Sequence, residues 1–261
     1  MSGVPKPVDA ALGRILVIIP TYNELEALPK ILERVRASVP TAEILIVDDN
    51  SPDGTGRVAD QWVAAHAGIH VMHRVGKAGL GAAYLAAFSW GLQQDFDVLV
   101  EMDADGSHQP EQLPDLLAAL EYSDLVLGSR WVQGGGTQNW SKNREILSKG
   151  GNYYTKKMLG IDINDATGGY RAFKASTLRA LDLHEVASAG YCFQVDLAWR
   201  AKERGFIVTE VPIMFVEREV GTSKMSRKIV TEALWKVTVW GIDRRFKMLK
   251  GELSKDREKN Q

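Results

Sequence analysis

One cysteine, Cys192, stands in 261 residues. It leaves no partner for an internal disulfide and no thiolate set for a zinc cluster, so a reducing, cytoplasmic setting is expected. The five histidines have no metal-site spacing. Net charge is also scarce: a formal value of −1 describes no polycation, and no nucleic-acid partner is expected. Long apolar runs are missing as well. The most apolar late stretch, Ala233 to Ile242, contains Lys236 and is about half of the roughly 20 residues needed to cross a bilayer. Residues 1–13 show neither a long apolar core nor a signal-peptide pattern, so export is not expected. No internal repeat is visible.

The chain does have enough apolar residues for one sizeable core, 45% of the total, at a length that a single α/β domain reaches. Its charge is unevenly placed: Arg218 to Lys250 carries nine Lys or Arg against three Asp or Glu, leaving that segment at +6 and the remainder at −7. We read a flexible N-terminus (1–13), a main domain (14–226), a C-terminal helix (227–250) and a polar tail (251–261).

Arg14 to Pro20 and Glu43 to Asp49 are β-branched runs without polar alternation, the pattern of strands covered on both faces. Between them Leu25, Leu28, Ile31, Leu32 and Val35 recur at helical spacing, and Thr21-x-x-Glu24 reads as a capping box. Further crossovers run through Thr55–Ala67 to a strand at 68–73, and through Gly79–Gln94 to a strand at 97–103. Parallel strands joined by helices place a ligand crevice at the strands' C-terminal edge. Beyond Gly128 a Gly-rich loop leads to a helix at 143–159, then a helix at 193–204, strand-like residues 207–216 and a last helix at 228–249.

Three acid-bearing stretches fall on that edge: Pro20 to Glu24, Asp48 to Asp53, and Asp103-Ala104-Asp105. At a crevice, carboxylates stay hydrated or meet a cation and avoid the penalty of an unpaired buried charge. In an extended strand end, residues i and i+2 point the same way, so Asp103 and Asp105 can face one ligand. Mg²⁺ or Mn²⁺ with a diphosphate suits them, since hard ions take oxygen ligands. The alternative is a solvated turn in which Asp105 and Ser107 cap a helix near Pro110. Likewise Asp48, Asn50 and Asp53 either reach a ligand or shape the turn before Thr55.

Taken in order, "IIPTYNE", "ILIVDDNSPDGT", "MDADGSHQPE", "GSR", "NW", "RxxxSKG" and "DATGGYRAF" resemble the family-2 glycosyltransferases with a GT-A fold, specifically the polyprenol (dolichol) monophosphate mannose synthases. The resemblance spans about Ile15 to Ser226. It implies a Rossmann-like, mostly parallel sheet flanked by helices. It also implies that Pro20, Tyr22, Glu24, Val47 and Asp49 hold a guanine nucleotide, with Asp49 or Asp48 near base or ribose. Asp103, Ala104 and Asp105 would then embrace sugar, diphosphate and metal. Some members carry Gln where this chain has Ser107, which weakens the case for a third side-chain ligand there. The implied reaction is inverting transfer of mannose from GDP-mannose to a polyprenyl monophosphate, with Arg130, Arg144 and Ser148 at the acceptor phosphate. Arg218 and Lys224 correspond to a mobile loop over the diphosphate.

Several residues stay open. Asp165 either bonds a sugar hydroxyl or braces the acceptor cleft; Gln194 or Asp196 faces the sugar or caps a helix; Gly79 and Gly81 pack near the donor. Apolar residues of the last helix form two stripes, Ile229/Ala233/Val237/Trp240 and Trp235/Val239/Ile242/Phe246/Leu249. One packs on the domain. The second, beside Lys236, Arg245, Lys247 and Lys250, suits a membrane surface or membrane-bound partner, a buried helix, or a homodimer seam. The expected protein is a peripheral enzyme at the cytoplasmic membrane face. Its rivals are a polyprenyl-phosphate glucosyltransferase or related family member, and a non-catalytic nucleotide-sugar-binding subunit.

Overall fold

A computed structural model describes residues 12–186, 190–217 and 227–251. The elements run β1 (Ile15–Thr21), α1 (Ala27–Ser38), β2 (Glu43–Asp48), α2 (Thr55–Ala65), β3 (Ile69–His73), α3 (Leu80–Gln93), β4 (Val98–Glu101), α4 (Leu113–Leu120), β5 (Leu125–Ser129) and β6 (Gly136–Gln138). There follow α5 (Lys142–Leu159), β7 (Arg171–Lys174), α6 (Ala175–Ala180), α7 (Gly190–Glu203), β8 (Val208–Pro212), β9 (Met214–Val216) and α8 (Arg227–Leu249). The main sheet has the order β3-β2-β1-β4-β7-β5-β8. Every neighbouring pair is parallel except those made by β7, which lies antiparallel between β4 and β5.

Burial on both faces explains the unbroken apolar strands. In β1, Ile15, Val17 and Ile19 join one core layer with Leu28, Ile31, Leu32 and Val35 of α1, while Leu16 and Ile18 join the opposite layer with Tyr84 and Phe88 of α3 and Phe193 of α7. Alternate side chains of one strand thus serve two cores.

The structure departs from the sequence reading in three places. There is no capping box at Thr21: α1 begins at Ala27 without a side-chain cap, and Thr21 ends β1, its hydroxyl donating to the Val47 carbonyl at 3.4 Å. The chain from Tyr22 to Glu26 is drawn across the crevice instead, with backbone N–H groups of Asn23, Glu24 and Leu25 donating to Ser51, Thr55 and Asp53. The strand-like run 207–216 is broken at Ile213 into β8, in the main sheet, and β9, which pairs with β6. β5 and the antiparallel β7 are strands that the sequence reading does not contain. As the stripe with Val237 and Trp240 led us to expect, α8 packs on α5 and α7. Val237 is buried there, Trp240 stacks on Trp199 at 5.5 Å, and a Cβ at Gly241 would meet the Met158 carbonyl oxygen at 2.6 Å.

β7 brings a buried charge pair into the sheet. Glu101 and Arg171 are register partners on β4 and β7 and both are fully buried. Arg171 donates to the carbonyls of Ala166, Gly168 and Gln194, with its Nε 3.9 Å from Glu101 Oε2. Neither Glu101 oxygen makes a hydrogen bond of ordinary geometry, the Gln194 side chain reaching it only weakly. Burial pushes this carboxyl up to about 8 from an ordinary 4.5, against the pull of Arg171. A folded-state value above the unfolded one means the stabilisation is complete at low pH and is lost as pH rises towards about 8. Wild type is therefore expected to lose stability relative to Glu101→Gln by on the order of 1 kcal/mol per pH unit between about pH 5 and 8, then level off. Paired melting curves in metal-free buffer check this; parallel pH profiles would refute it.

Candidate active site

The C-terminal ends of β1, β2 and β4 open into one cleft of about 410 Å³. Its first wall comes from Pro20, Tyr22 and Glu24 after β1, Asp49 after β2, and Lys77, Gly79 and Leu80 before α3. Lys77 Nζ sits 4.0 Å over the Tyr22 ring. Asp49 pairs with Arg74 at 2.5 Å. Burial raises its carboxyl above the usual range, opposed by Arg74 and, more weakly, Lys77. Asp48 and Asp49 divide the two roles the sequence left open. Asp48 accepts from the Ser51 hydroxyl at 2.6 Å and Asp53 from Thr55 at 2.6 Å, shaping the turn, while Asp49 lines the cleft. Val47 does not: its side chain is buried in the core because β2 is covered on both faces.

The second wall holds Asp103, Ala104, Asp105, Ser107 and His108. β4 ends at Glu101, so a turn, not an extended strand end, brings the two carboxylates to the cleft. That turn is fixed from within. The Asp103 N–H donates to His108 Nδ1 at 3.0 Å, the Ser107 N–H to Asp105 Oδ1 at 3.1 Å, and the Val216 N–H to the Ser107 carbonyl at 3.2 Å. Asp105 therefore closes its own turn; neither it nor Ser107 caps the short 3₁₀ segment Pro110–Gln112, which has no side-chain cap. His108 is buried and stacked on Tyr170 at 4.9 Å. Burial holds its imidazole below the ordinary value. Accepting at Nδ1 leaves the neutral ring's proton on Nε2, 3.9 Å from Asp103 Oδ2.

At the far end stand Arg130, Trp140, Arg144, Thr167, Phe215 and Glu217. Arg130 is buried and meets Asp165 through two bonds of 2.6 Å, from Nε and Nη2, while its backbone N–H also donates to Asp165 at 3.0 Å. Trp131, Trp140 and Phe215 surround the guanidinium with ring centres 5.2–5.5 Å away. Arg144 lies 3.8 Å over Trp140 and pairs with Glu217. Asp165 thus braces the cleft through Arg130. Ser148 sits one turn along from Arg144 on α5 but does not line the cleft; its carbonyl accepts from Asn152. Arg218 and Lys224 lie outside the described residues. Gln194 lines the cleft from the second turn of α7, too far in to be a cap, whereas Asp196 pairs with Arg200 at 2.7 Å.

The sequence reading missed Lys77, Arg74, His108, Phe215 and Glu217. Two of them stood in stretches that carried a signal, Lys77 in "GKAGLGAAY" and His108 in "MDADGSHQPE". Arg74, Phe215 and Glu217 are brought in by the register of β3 and by β9.

Two carboxylates and the Ser107 hydroxyl, buried without a hydrogen-bond partner, present an all-oxygen set that fits a hard divalent cation. Among the described residues no three His, Cys, Asp or Glu side chains cluster as a complete metal site, so a diphosphate would have to complete the coordination. For the opposite end, Asp165→Ala leaves the Arg130 guanidinium buried and unpaired by its carboxylate. It is expected to cost about 3–5 kcal/mol in urea unfolding, against a clearly smaller loss for Asp165→Asn; equal losses would contradict the pairing.

The profile of the family described as Glycosyl transferase family 2 matches residues 16–182. The chain is 55% identical over 240 residues to the Undecaprenyl-phosphate mannosyltransferase of Micrococcus luteus, covering 92% of this chain and 99% of that protein. It is also 55% identical over 240 residues to the Polyprenol monophosphomannose synthase of Mycolicibacterium smegmatis, covering 91% of each. Among solved structures, glucosyl-3-phosphoglycerate synthase from Mycobacterium tuberculosis with Mn²⁺, uridine diphosphate and phosphoglyceric acid aligns with a TM-score of 0.65 at 18% identity, over 91% of this chain and 81% of that one. A mannosyltransferase from Pyrobaculum calidifontis with GDP-Man and Mn²⁺ aligns with a TM-score of 0.57 at 17% identity, over 94% and 69%. These two likenesses establish the shared fold. With its α/β architecture, its cleft at the strand edge and this extent of identity, the chain belongs to glycosyl transferase family 2.

Proposed function

We propose that this protein transfers mannose from GDP-mannose to a polyprenyl monophosphate, with inversion, giving polyprenyl phosphate β-mannose and GDP. The observation that carries the reading is a single cleft with paired carboxylates on one wall and the arginines Arg130 and Arg144 at its far end. The relatives named for undecaprenyl-phosphate and polyprenol-monophosphate mannosylation support it.

In this reading Tyr22, with Lys77 over its ring, and Asp49 receive the nucleoside: the ring offers a flat apolar surface and the carboxylate accepts ribose hydroxyls. Pro20 and Glu24 complete that wall. Asp103 and Asp105 are the residues that would hold Mg²⁺ or Mn²⁺, and such an ion supplies charge neutralisation at the leaving diphosphate. Arg130 and Arg144 bind the acceptor phosphate. An oxygen of that phosphate attacks the anomeric carbon as the bond to GDP breaks on the opposite face. The nucleophile is already anionic near neutral pH, so the protein's task is alignment and charge stabilisation, with no base needed to remove a proton. Arg130 is suited to this because Asp165 and three aromatic rings leave its guanidinium little freedom to reorient. Arg218 and Lys224, outside the described residues, are assigned to the diphosphate.

Residues 14–226 form the catalytic unit in this proposal, and α8 contacts the membrane's cytoplasmic face or a membrane-bound partner. Trp235 and Phe246 of α8 are 70% and 60% exposed, with Val239 and Ile242 exposed between them. Basic Arg245, Lys247 and Lys250 lie close by, an arrangement suited to an anionic interface. Among the described residues no helix is long and apolar enough to cross a membrane.

Radiolabel transfer from GDP-mannose to a short polyprenyl phosphate tests the reaction. Labelled lipid is expected with Mg²⁺ or Mn²⁺ and is lost with EDTA; transfer from UDP-glucose alone would overturn the donor. Asp105→Asn should lower kcat by at least about a hundredfold, while Arg144→Ala should raise the acceptor KM about tenfold with GDP affinity unchanged. For the interface, Trp235→Glu with Phe246→Glu should abolish sedimentation with anionic vesicles and leave transfer to a detergent-dispersed acceptor intact. Unchanged sedimentation would exclude α8 as the contact.

A further inference from the structure

Gln194 is 4% exposed and lines the cleft; its side chain reaches the Glu101 carboxylate beneath it only weakly, and its amide oxygen makes no hydrogen bond. An amide carries two donors and two acceptor lone pairs, and leaving them buried and unmatched is costly, so native structures seldom do so without a ligand or water to complete them. The surroundings hold the residue in place. Arg171 donates to the Gln194 backbone carbonyl at 2.6 Å, fixing this turn of α7. Below the amide lies Glu101, whose carboxylate the Gln194 side chain and Arg171 both favour against burial.

Gly169 keeps the amide accessible. A Cβ there would lie 3.7 Å from Gln194 Nε2 and 3.5 Å from His108 Cε1, so a side chain at 169 would project between the amide and the ring that holds the Asp103 turn. Asp103 and Asp105 occupy one side of this point, and Arg130 with Thr167 the other. Both flanks are charged, suited to diphosphate with cation on one side and phosphate on the other. A neutral group offering both donors and acceptors suits what lies between: the hydroxyls of the hexose being transferred.

We infer that the Gln194 carboxamide reads hydroxyls of the transferred sugar, accepting from one and donating to a neighbour, and so contributes to the choice of sugar. The inference rests on the mannosyl-transfer reading above and deepens it. A pocket built to bond a particular hydroxyl discriminates against analogues lacking it far more strongly than an apolar pocket could.

The test is a cycle between the protein and the substrate, using wild type, Gln194→Met and Gln194→Glu with GDP-mannose and its monodeoxy analogues. Gln194→Met should lower kcat/KM for GDP-mannose about ten- to a hundredfold while GDP affinity stays within about twofold, because the amide faces the sugar and not the nucleotide. At least one deoxy analogue should be a poor donor for wild type, and that same deletion should cost Gln194→Met almost nothing further. Gln194→Glu, which keeps the acceptor, should retain part of the discrimination. Equal deoxy penalties in wild type and both variants would overturn the inference, as would a loss of GDP affinity matching the loss of kcat/KM, which marks a structural role. If Gln194→Met does not fold, the glutamate variant alone decides on the same comparison. Failure of wild type to transfer mannose at all would instead overturn the function proposed above, so the two failures are distinct.

Discussion

A guanidinium as deeply buried as that of Arg130 keeps its charge inside the protein only because Asp165 meets it with both carboxylate oxygens, at 2.6 Å each. Asp165 is itself fully buried, so each ion is tenable only through the other and through the bonds around them. Those bonds tie distant parts of the chain together. Arg130 follows β5, Asp165 precedes β7, Asn152 donates to Asp165 from α5, and Glu210 of β8 accepts the Asp165 N–H at 2.8 Å. Four elements thus meet at one ion pair, and the far end of the cleft takes its shape from them.

The rest of the site follows a gradient of charge and exposure. Asp48 and Asp53 spend their oxygens on the turn after β2, which in turn holds the loop after β1 where Tyr22 and Glu24 stand. Asp103 and Asp105 remain at the cleft because β4 stops two residues before the first of them. His108 anchors that turn as a neutral ring, so its grip on the Asp103 N–H adds no positive charge beside the carboxylates. Arg144 differs from Arg130: it rests on Trp140 and shares its charge with Glu217. Arg130, by contrast, is locked by Asp165.

Stability and function draw on the same β7 insertion. This short antiparallel strand separates β4 from β5, sets the buried Glu101–Arg171 pair beneath the cleft, and follows the loop that delivers Thr167 and Gly169 to it. The face of α8 turned to α5 and α7 closes the back of the domain, while its other face, with Trp235 and Phe246, remains outside the core.

Much of this was legible in the sequence wherever physical pattern is local. Unbroken β-branched runs determined the parallel strands β1 and β2, since only strands covered on both faces tolerate them, and helical spacing determined α1, α5, α7 and α8. The ordered motifs identified the family, and Asp103, Asp105, Arg130 and Arg144 do line one cleft. What the sequence could not determine depended on partners far along the chain. The expected i, i+2 strand geometry at Asp103 gave way to a turn held by His108. Val47 proved to be core and Ser148 to lie off the cleft, because burial is a property of the packed layers. Residues 207–216 divided between two sheets because Ile213 turns into the core. Glu217 and Phe215 joined the site through pairing and register alone. Local periodicity is written in successive residues, but which side chains face one another across a cleft is decided only when the sheet, with β7 running against its neighbours, has assembled.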